Sequence, residues 1–193
     1  MLFLEAPMAV LSGRTIVLDP GHGEVCEGEN DPGAVNPRLH LQERDAVRRQ
    51  ADLVRAGLQA LGASVKILEN GTTKSLRELG AEGKGCDCFV SLHLNAFNNQ
   101  AQGHLVLIDS NGTATDEKLA KMINEELNQR LAIADRGVRR QPLGVLKGVP
   151  LPAPAVLVES FFLDSARSTK DVDQWLQQSA DGITAGVKSF LAS

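Results

Sequence analysis

Tyrosine is absent from these 193 residues, and six phenylalanines and one tryptophan make up the whole aromatic complement. So sparse a set leaves little for stacking bases or sugar rings. Positive charge is short as well: the formal net charge is −4, which argues against a surface built to hold nucleic acid, and no such partner is expected. No run approaches the ~18–20 apolar residues of a transmembrane helix, so no membrane span is expected. Three cysteines, an odd number, do not read as a disulfide framework. Cys86 and Cys88 flank a single residue, too close for a C-x-x-C metal pair, and read as small buried residues where a strand begins. The segment Met1 to Leu11 is apolar but lacks a basic n-region, and Glu5 and Pro7 interrupt it. It does not read as a signal peptide, so synthesis in the cytoplasm is the expectation. Several catalytic signatures are missing too: there is no G-x-S-x-G, H-E-x-x-H, G-x-x-x-x-G-K-[ST] or G-x-G-x-x-G.

What remains is an ordinary globular composition, 42% hydrophobic and 23% charged, in a chain long enough to bury one core. Short apolar runs alternate with stretches of helical spacing. Thr15 to Leu18 reads as a buried strand stopped by Asp-Pro-Gly, followed by an aperiodic loop to Leu41. Apolar residues at 46, 47, 51, 54, 58 and 61 predict a helix over Glu43–Leu61, closed by Gly62. Ser64–Leu68 is a second strand broken by Asn70-Gly71, and Ser75–Gly83 a short helix. Cys88–Leu92 and Gly103–Ile108 are further strands, with a polar helix from Thr115 to Leu131. Gly144–Leu146 reads as a short strand and Pro154–Val158 as a strong one. Thr169–Leu191 is a closing helix with one apolar face. The alternation predicts a single α/β domain over 1–193, with a mostly parallel twisted sheet and helices on both faces. No internal repeat or interdomain linker interrupts it.

Three polar segments follow predicted strands or open the next helix: Asp19-Pro20-Gly21-His22-Gly23, Glu43, and Ser91-Leu92-His93-Leu94-Asn95. In an open parallel sheet that edge is where ligands bind. His22 alone would be a solvated loop histidine, and Glu43 alone a carboxylate gaining from a helix dipole. His93, leaving a buried strand, must satisfy two ring nitrogens in the cleft. Together they make a three-ligand zinc site with a position open to water. Glu159, directly after Ala-Val-Leu-Val, would be costly in a core unless it emerges into a cleft, where it could serve as the base such a water needs. His40, in the irregular loop, and His104, opening a strand, are set aside as ligands. Glu27 to Asp31 form an acidic cluster, either a solvated loop or a rim facing substrate.

The residues resemble the zinc-dependent N-acetylmuramoyl-L-alanine amidases of the amidase-3 type, over about Thr15 to Leu191. The resemblance is carried by Asp19-Pro20-Gly21-His22-Gly23, Asp31-Pro32-Gly33-Ala34, Glu43, Ser91 to Ala96, Arg136-Gly137-Val138 and Ala155 to Glu159. It implies cleavage of the bond between the sugar lactyl group and the stem peptide of peptidoglycan. It also implies one Zn²⁺ held by His22, Glu43 and His93, with Glu159 as catalytic carboxylate and Asn95 close by. Arg136, with Arg139 and Arg140, could hold stem-peptide carboxylates; a solvated basic turn is the plainer reading. Two departures stand out. Glu24 to Asn30 lengthen the turn after His22, and Ser160-Phe161-Phe162-Leu163-Asp164 replaces the family's frequent Gly-Phe pair. No long segment between His93 and Arg136 blocks the site, and no repeat domain for wall attachment is seen. The expected partner is peptidoglycan, the expected state a monomer, and the place of action the wall or periplasm after release or export. A zinc peptidase acting on free peptides and a non-catalytic wall-binding module are the alternatives.

Overall fold

The computed structural model describes residues 9–26, 29–69 and 73–193. The apolar start over 1–8, Glu27 in the acidic cluster and the Asn70-Gly71 break therefore lie outside the described residues. Among the described residues ten strands and five helices follow in order. They are β1 (Thr15–Pro20), β2 (Gly23–Cys26), β3 (Glu29–Asp31), β4 (Val35–Asn36), β5 (Leu41–Gln42), α1 (Glu43–Ala60), β6 (Ser64–Ile67), α2 (Leu76–Ala81), β7 (Cys88–Asn95), β8 (His104–Asp109), α3 (Ala114–Arg130), β9 (Asp135–Gln141), α4 (Gly144–Gly148), β10 (Ala155–Phe162) and α5 (Thr169–Leu191). A 3-10 turn, Leu163–Ser165, links β10 to α5.

Six strands form one sheet in the order β6-β1-β7-β10-β8-β9. β6, β1, β7 and β10 run parallel, and β8 turns antiparallel to β10 and carries β9 parallel beside it. The central strands are apolar along their length because both faces are covered. Residues such as Ile16, Phe89, Leu92 and Val156 are fully enclosed, each large side chain contributing ~1.5–3 kcal/mol of burial. On one face α5 packs between α1 and α3. Val47, Ala51, Val54 and Leu58 of α1 and Leu176, Ala180, Ile183 and Val187 of α5 join the larger core there. On the other face α2 and α4 cover a smaller core of Val17, Phe89, Leu107, Val145, Leu146 and Leu157. The expected layers are present. Side chains with matching backbone bonds fix three helix starts, as Ser75, Thr113 and Ser168 each cap with the residue three places on. Gly62, at φ +93°, closes α1 as expected.

Three local expectations are corrected. Gly144–Leu146 is the start of helix α4, where Val145 and Leu146 are buried; a short apolar run serves a buried helix turn as well as a strand. The basic segment from Arg136 is edge strand β9 rather than a turn, paired on one side only with β8. The loop from Asp19 to Leu41 holds two small ladders, β2–β3 and β4–β5. The thiols of Cys86 and Cys88 are buried and free, and burial pushes Cys86 up to about 11, so it stays a thiol at neutral pH. Among the described residues no helix is long and apolar enough to cross a membrane.

Candidate metal centre

The carboxyl ends of β1, β7 and β10 finish side by side, with Pro20 opposite Leu92 and Glu159 opposite His93. β1 ends just before His22, β7 supplies His93, and α1 presents Glu43 in its first turn. The three side chains converge. His22 Nε2 lies 3.1 Å from Glu43 Oε1, and His93 Nδ1 lies 3.1 Å from both His22 Nε2 and Glu43 Oε1. Among the described residues they form a group able to hold a metal ion.

Two glycines make the convergence possible. A methyl group at Gly21 would sit 2.1 Å from His93 Cε1, and one at Gly33 would sit 2.5 Å from Glu43 Oε2 and 2.6 Å from His22 Cδ2. The turn runs through His22 itself at φ +65°, a left-handed conformation that costs an ordinary residue about 1–3 kcal/mol and is typical of functional positions.

Each ligand is aimed by a partner. His22 Nδ1 donates to Asp31 Oδ2 at 2.8 Å, which leaves Nε2 with its lone pair toward the cluster. Glu43, 2% exposed on its side chain, accepts from the Leu94 N–H at 2.8 Å and the Ala34 N–H at 2.7 Å. Electrostatics make the cluster a seat for positive charge. Burial opposes a charged His22 ring, but Glu43 and Asp31 outweigh it and raise its pKa to about 9. Burial likewise opposes the Glu43 carboxylate, yet the adjoining His22 and His93 rings bring its pKa down to about 2.

Glu159 faces the same edge in register with His93. Its Oε2 is buried and has no hydrogen-bond partner within the protein. Burial pushes its pKa up to about 7, against the pull of the His93 charge. Behind it, the core holds the geometry. Gln50 of α1 donates through Nε2 to Ser160 Oγ at 2.7 Å and to Ser179 Oγ at 2.6 Å, linking α1, β10 and α5. Asp164, in the segment where the chain departs from the family's Gly-Phe pattern, accepts from the Phe97 and Asn99 N–H groups at 2.8 and 2.9 Å and pins the loop after β7.

The remaining candidates stand apart from the ligands. Asn95 ends β7 and its Oδ1 accepts from the Ala96 N–H at 2.8 Å. Arg136 donates to the Gln102 carbonyl at 3.1 Å and lies over the Phe162 ring at 4.8 Å; Phe162 pairs with Asn95 across the sheet. Arg140 points elsewhere, to the Gly112 carbonyl and Glu117 at the far end of β9. His40 is exposed and outside the cluster, and His104 is fully buried under α3. Asp31 was visible in the sequence only as part of a motif and an acidic cluster; its nine-residue distance from His22 hid the contact.

At the carboxyl edge of this α/β sheet two histidines and a glutamate form a group that could hold a metal ion, beside a buried carboxylate oxygen with no partner in the protein. Residues 16–189 match the family described as N-acetylmuramoyl-L-alanine amidase, and the chain belongs to that family. It is 31% identical to an uncharacterized cell wall amidase of Bacillus anthracis over 93% of this chain and 36% of that protein. It is also 31% identical to the N-acetylmuramoyl-L-alanine amidase LytC of Bacillus subtilis, over 92% and 36% respectively. The chain thus spans about a third of the length of these two curated relatives, 36% in each case. The crystal structure of N-acetylmuramoyl-L-alanine amidase from Clostridium difficile 630 superposes with a TM-score of 0.82 at 27% identity, over 93% of this chain and 97% of that one.

Proposed function

We propose that the protein is a zinc-dependent amidase that hydrolyses the bond between the N-acetylmuramoyl lactyl group and L-alanine in peptidoglycan, acting at the wall once released or exported. The observation that carries this reading is the His22–Glu43–His93 cluster with Glu159 alongside, in a chain of this family. The donor set suits zinc. Tetrahedral coordination at ~2.0–2.2 Å puts neighbouring donors about 3.3 Å apart, against 3.1 Å between the donors here.

Zinc bound by these three residues would supply Lewis-acid polarisation of a carbonyl and water acidified toward pH ~7. The chain does the rest. Glu159 takes the proton of the attacking water on its unpartnered Oε2 and passes it to the departing amine nitrogen of L-alanine. A carboxyl poised at about 7 can both accept and return that proton near neutrality. Asp31 holds the His22 ring, and the Leu94 and Ala34 N–H groups hold Glu43, so the site is ordered before substrate arrives. On the flank, the Asn95 amide and Arg136 are the groups proposed to meet substrate.

Mass spectrometry of digested, purified peptidoglycan tests the reading. Free N-terminal L-alanine is expected, with no new reducing sugar ends. EDTA should abolish the release and added zinc restore it. Cleavage within a free stem peptide would make the protein a peptidase, new reducing ends a glycosidase, and zinc binding without turnover a wall-binding module.

A further inference from the structure

A cavity of about 360 Å³ opens directly beside His22, lined by Pro20, by Arg44, Asp45 and Arg48 of α1, and by Glu69. Arg44 follows the ligand Glu43, and Arg48 sits one turn further along the same helix face. A substrate held at the metal centre must extend over His22 and into this space or away from it. Among the described residues no Phe or Trp lines the cavity, so they offer it no flat apolar surface for a sugar ring to stack on. Two guanidinium groups one turn apart are instead suited to a carboxylate.

The existing commitments of both arginines are partial. Arg44 Nη1 donates to Asn30 Oδ1 at 2.8 Å, and its Nε lies 3.9 Å from Asp45. Arg48 Nη1 donates to the Leu68 carbonyl at 3.3 Å. Each guanidinium carries five N–H donors, so donors remain on both. Asp45 is 72% exposed on its side chain and Glu69 is exposed too, so water screens both carboxylates more than the Arg44 guanidinium, which is 23% exposed. The opposite flank offers less. Arg136 is stacked on Phe162, and Arg140 is paired with Glu117 at the far end of its strand.

We propose that the Arg44–Arg48 cavity binds the free carboxylate of the acidic residue that follows L-alanine in the stem peptide, so that the peptide runs over His22 toward α1. This rests on the amidase reading. It makes the protein selective for walls in which that carboxylate is not amidated.

The test compares two soluble muramyl-tripeptides that differ only in having this carboxyl free or amidated. Wild type should favour the free acid by about tenfold or more in kcat/KM, expressed mainly in KM, as charge-assisted hydrogen bonds to arginine imply. In Arg44→Gln/Arg48→Gln the ratio should fall to about one, while Arg55→Gln, at an α1 arginine outside the cavity and paired with Asp52, should keep it. Because the ratio is internal to each variant, partial loss of folded protein does not disturb it. A wild-type ratio near one, or a ratio kept in the double variant, overturns the proposal. Calorimetric binding of the free L-alanyl-γ-D-glutamate product separates this idea from the amidase reading. Binding weakened about tenfold in the double variant supports the cavity even if neither substrate is cut. Equal or absent binding to wild type and double variant sinks it.

Discussion

Asp31 gives the sharpest handle on how the centre is built, because one carboxylate performs two tasks. Its Oδ2 accepts from His22 Nδ1 at 2.8 Å, and its Oδ1 accepts from the Gly33 N–H at 3.0 Å. The first contact fixes the ring and tautomer of a proposed metal ligand, and the second shapes the turn against which Glu43 and His22 pack. Partners of this kind are worth ~10–100-fold in metal affinity, or about 1.4–2.8 kcal/mol. Asp31→Asn keeps an oxygen that can accept the ring proton and removes only the charge. The carboxylate is 42% exposed, so water already screens that charge and the loss should be near tenfold. Asp31→Ala removes the ring's acceptor and the turn's acceptor together and should approach a hundredfold. Competition against a chromophoric zinc chelator reads both values at one pH, and a thermal melt of each zinc-free protein checks that the fold survives. Zinc affinity equal to wild type in both variants would refute the role of Asp31, and an Asn variant as weak as the Ala variant would mean charge, not orientation, dominates.

Glu159→Gln should keep zinc and fold but lose ~10²–10⁴-fold in turnover, since the amide matches the shape and takes no proton; near wild-type turnover would remove Glu159 from the reaction. The same carboxyl sets the acid limb of the rate profile. Burial holds its pKa at about 7, and a bound divalent cation favours the charged form. Activity should therefore rise with pH to a plateau through a midpoint below about 7, and the E159Q variant should lack that limb. Gly21→Ala places a methyl 2.1 Å from His93 Cε1, so the ring must leave the cluster. Metal analysis should find well below one zinc per chain with the circular dichroism spectrum retained, and a fully loaded, active variant would contradict the packing described.

The strands that position the site were the most legible part of the chain. Ile16–Leu18, Cys88–Leu92 and Ala155–Val158 are apolar apart from Ser91, which donates to Asp19, because helices cover both sides, and His22, His93 and Glu159 stand out where those runs stop. α1 was equally clear from its single buried face. β9 was not. Its sequence, Asp-Arg-Gly-Val-Arg-Arg-Gln, is polar because an edge strand is sheltered on one side only, and Gly137 at φ +75° breaks the alternation. The reversal of β8 leaves no mark in its own residues, as a buried strand is apolar in either direction. α4 is too short for a period to show. The meeting of His22, Glu43 and His93 could be read from position along the sheet, whereas Asp31 and the Arg44–Arg48 cavity depend on how the loop after His22 folds back on α1.

Gln50 ties the helix that bears Glu43, a proposed metal ligand, to the strand that bears the proposed base, and it does so from inside the core. The spacing between Glu43 and Glu159 is thus inherited from the packing of α1, α5 and β10, while the loop carrying Asp31 is left to orient His22. That separates two kinds of evolutionary freedom. The hairpin after His22 can lengthen, and a serine can stand after Glu159, without moving the centre, since Ser160 has a hydrogen-bond partner waiting behind it. Substrate preference can drift with the rim while the chemistry stays put. By the same logic, a single change at Gln50, distant from any substrate, has the reach to misalign the whole site.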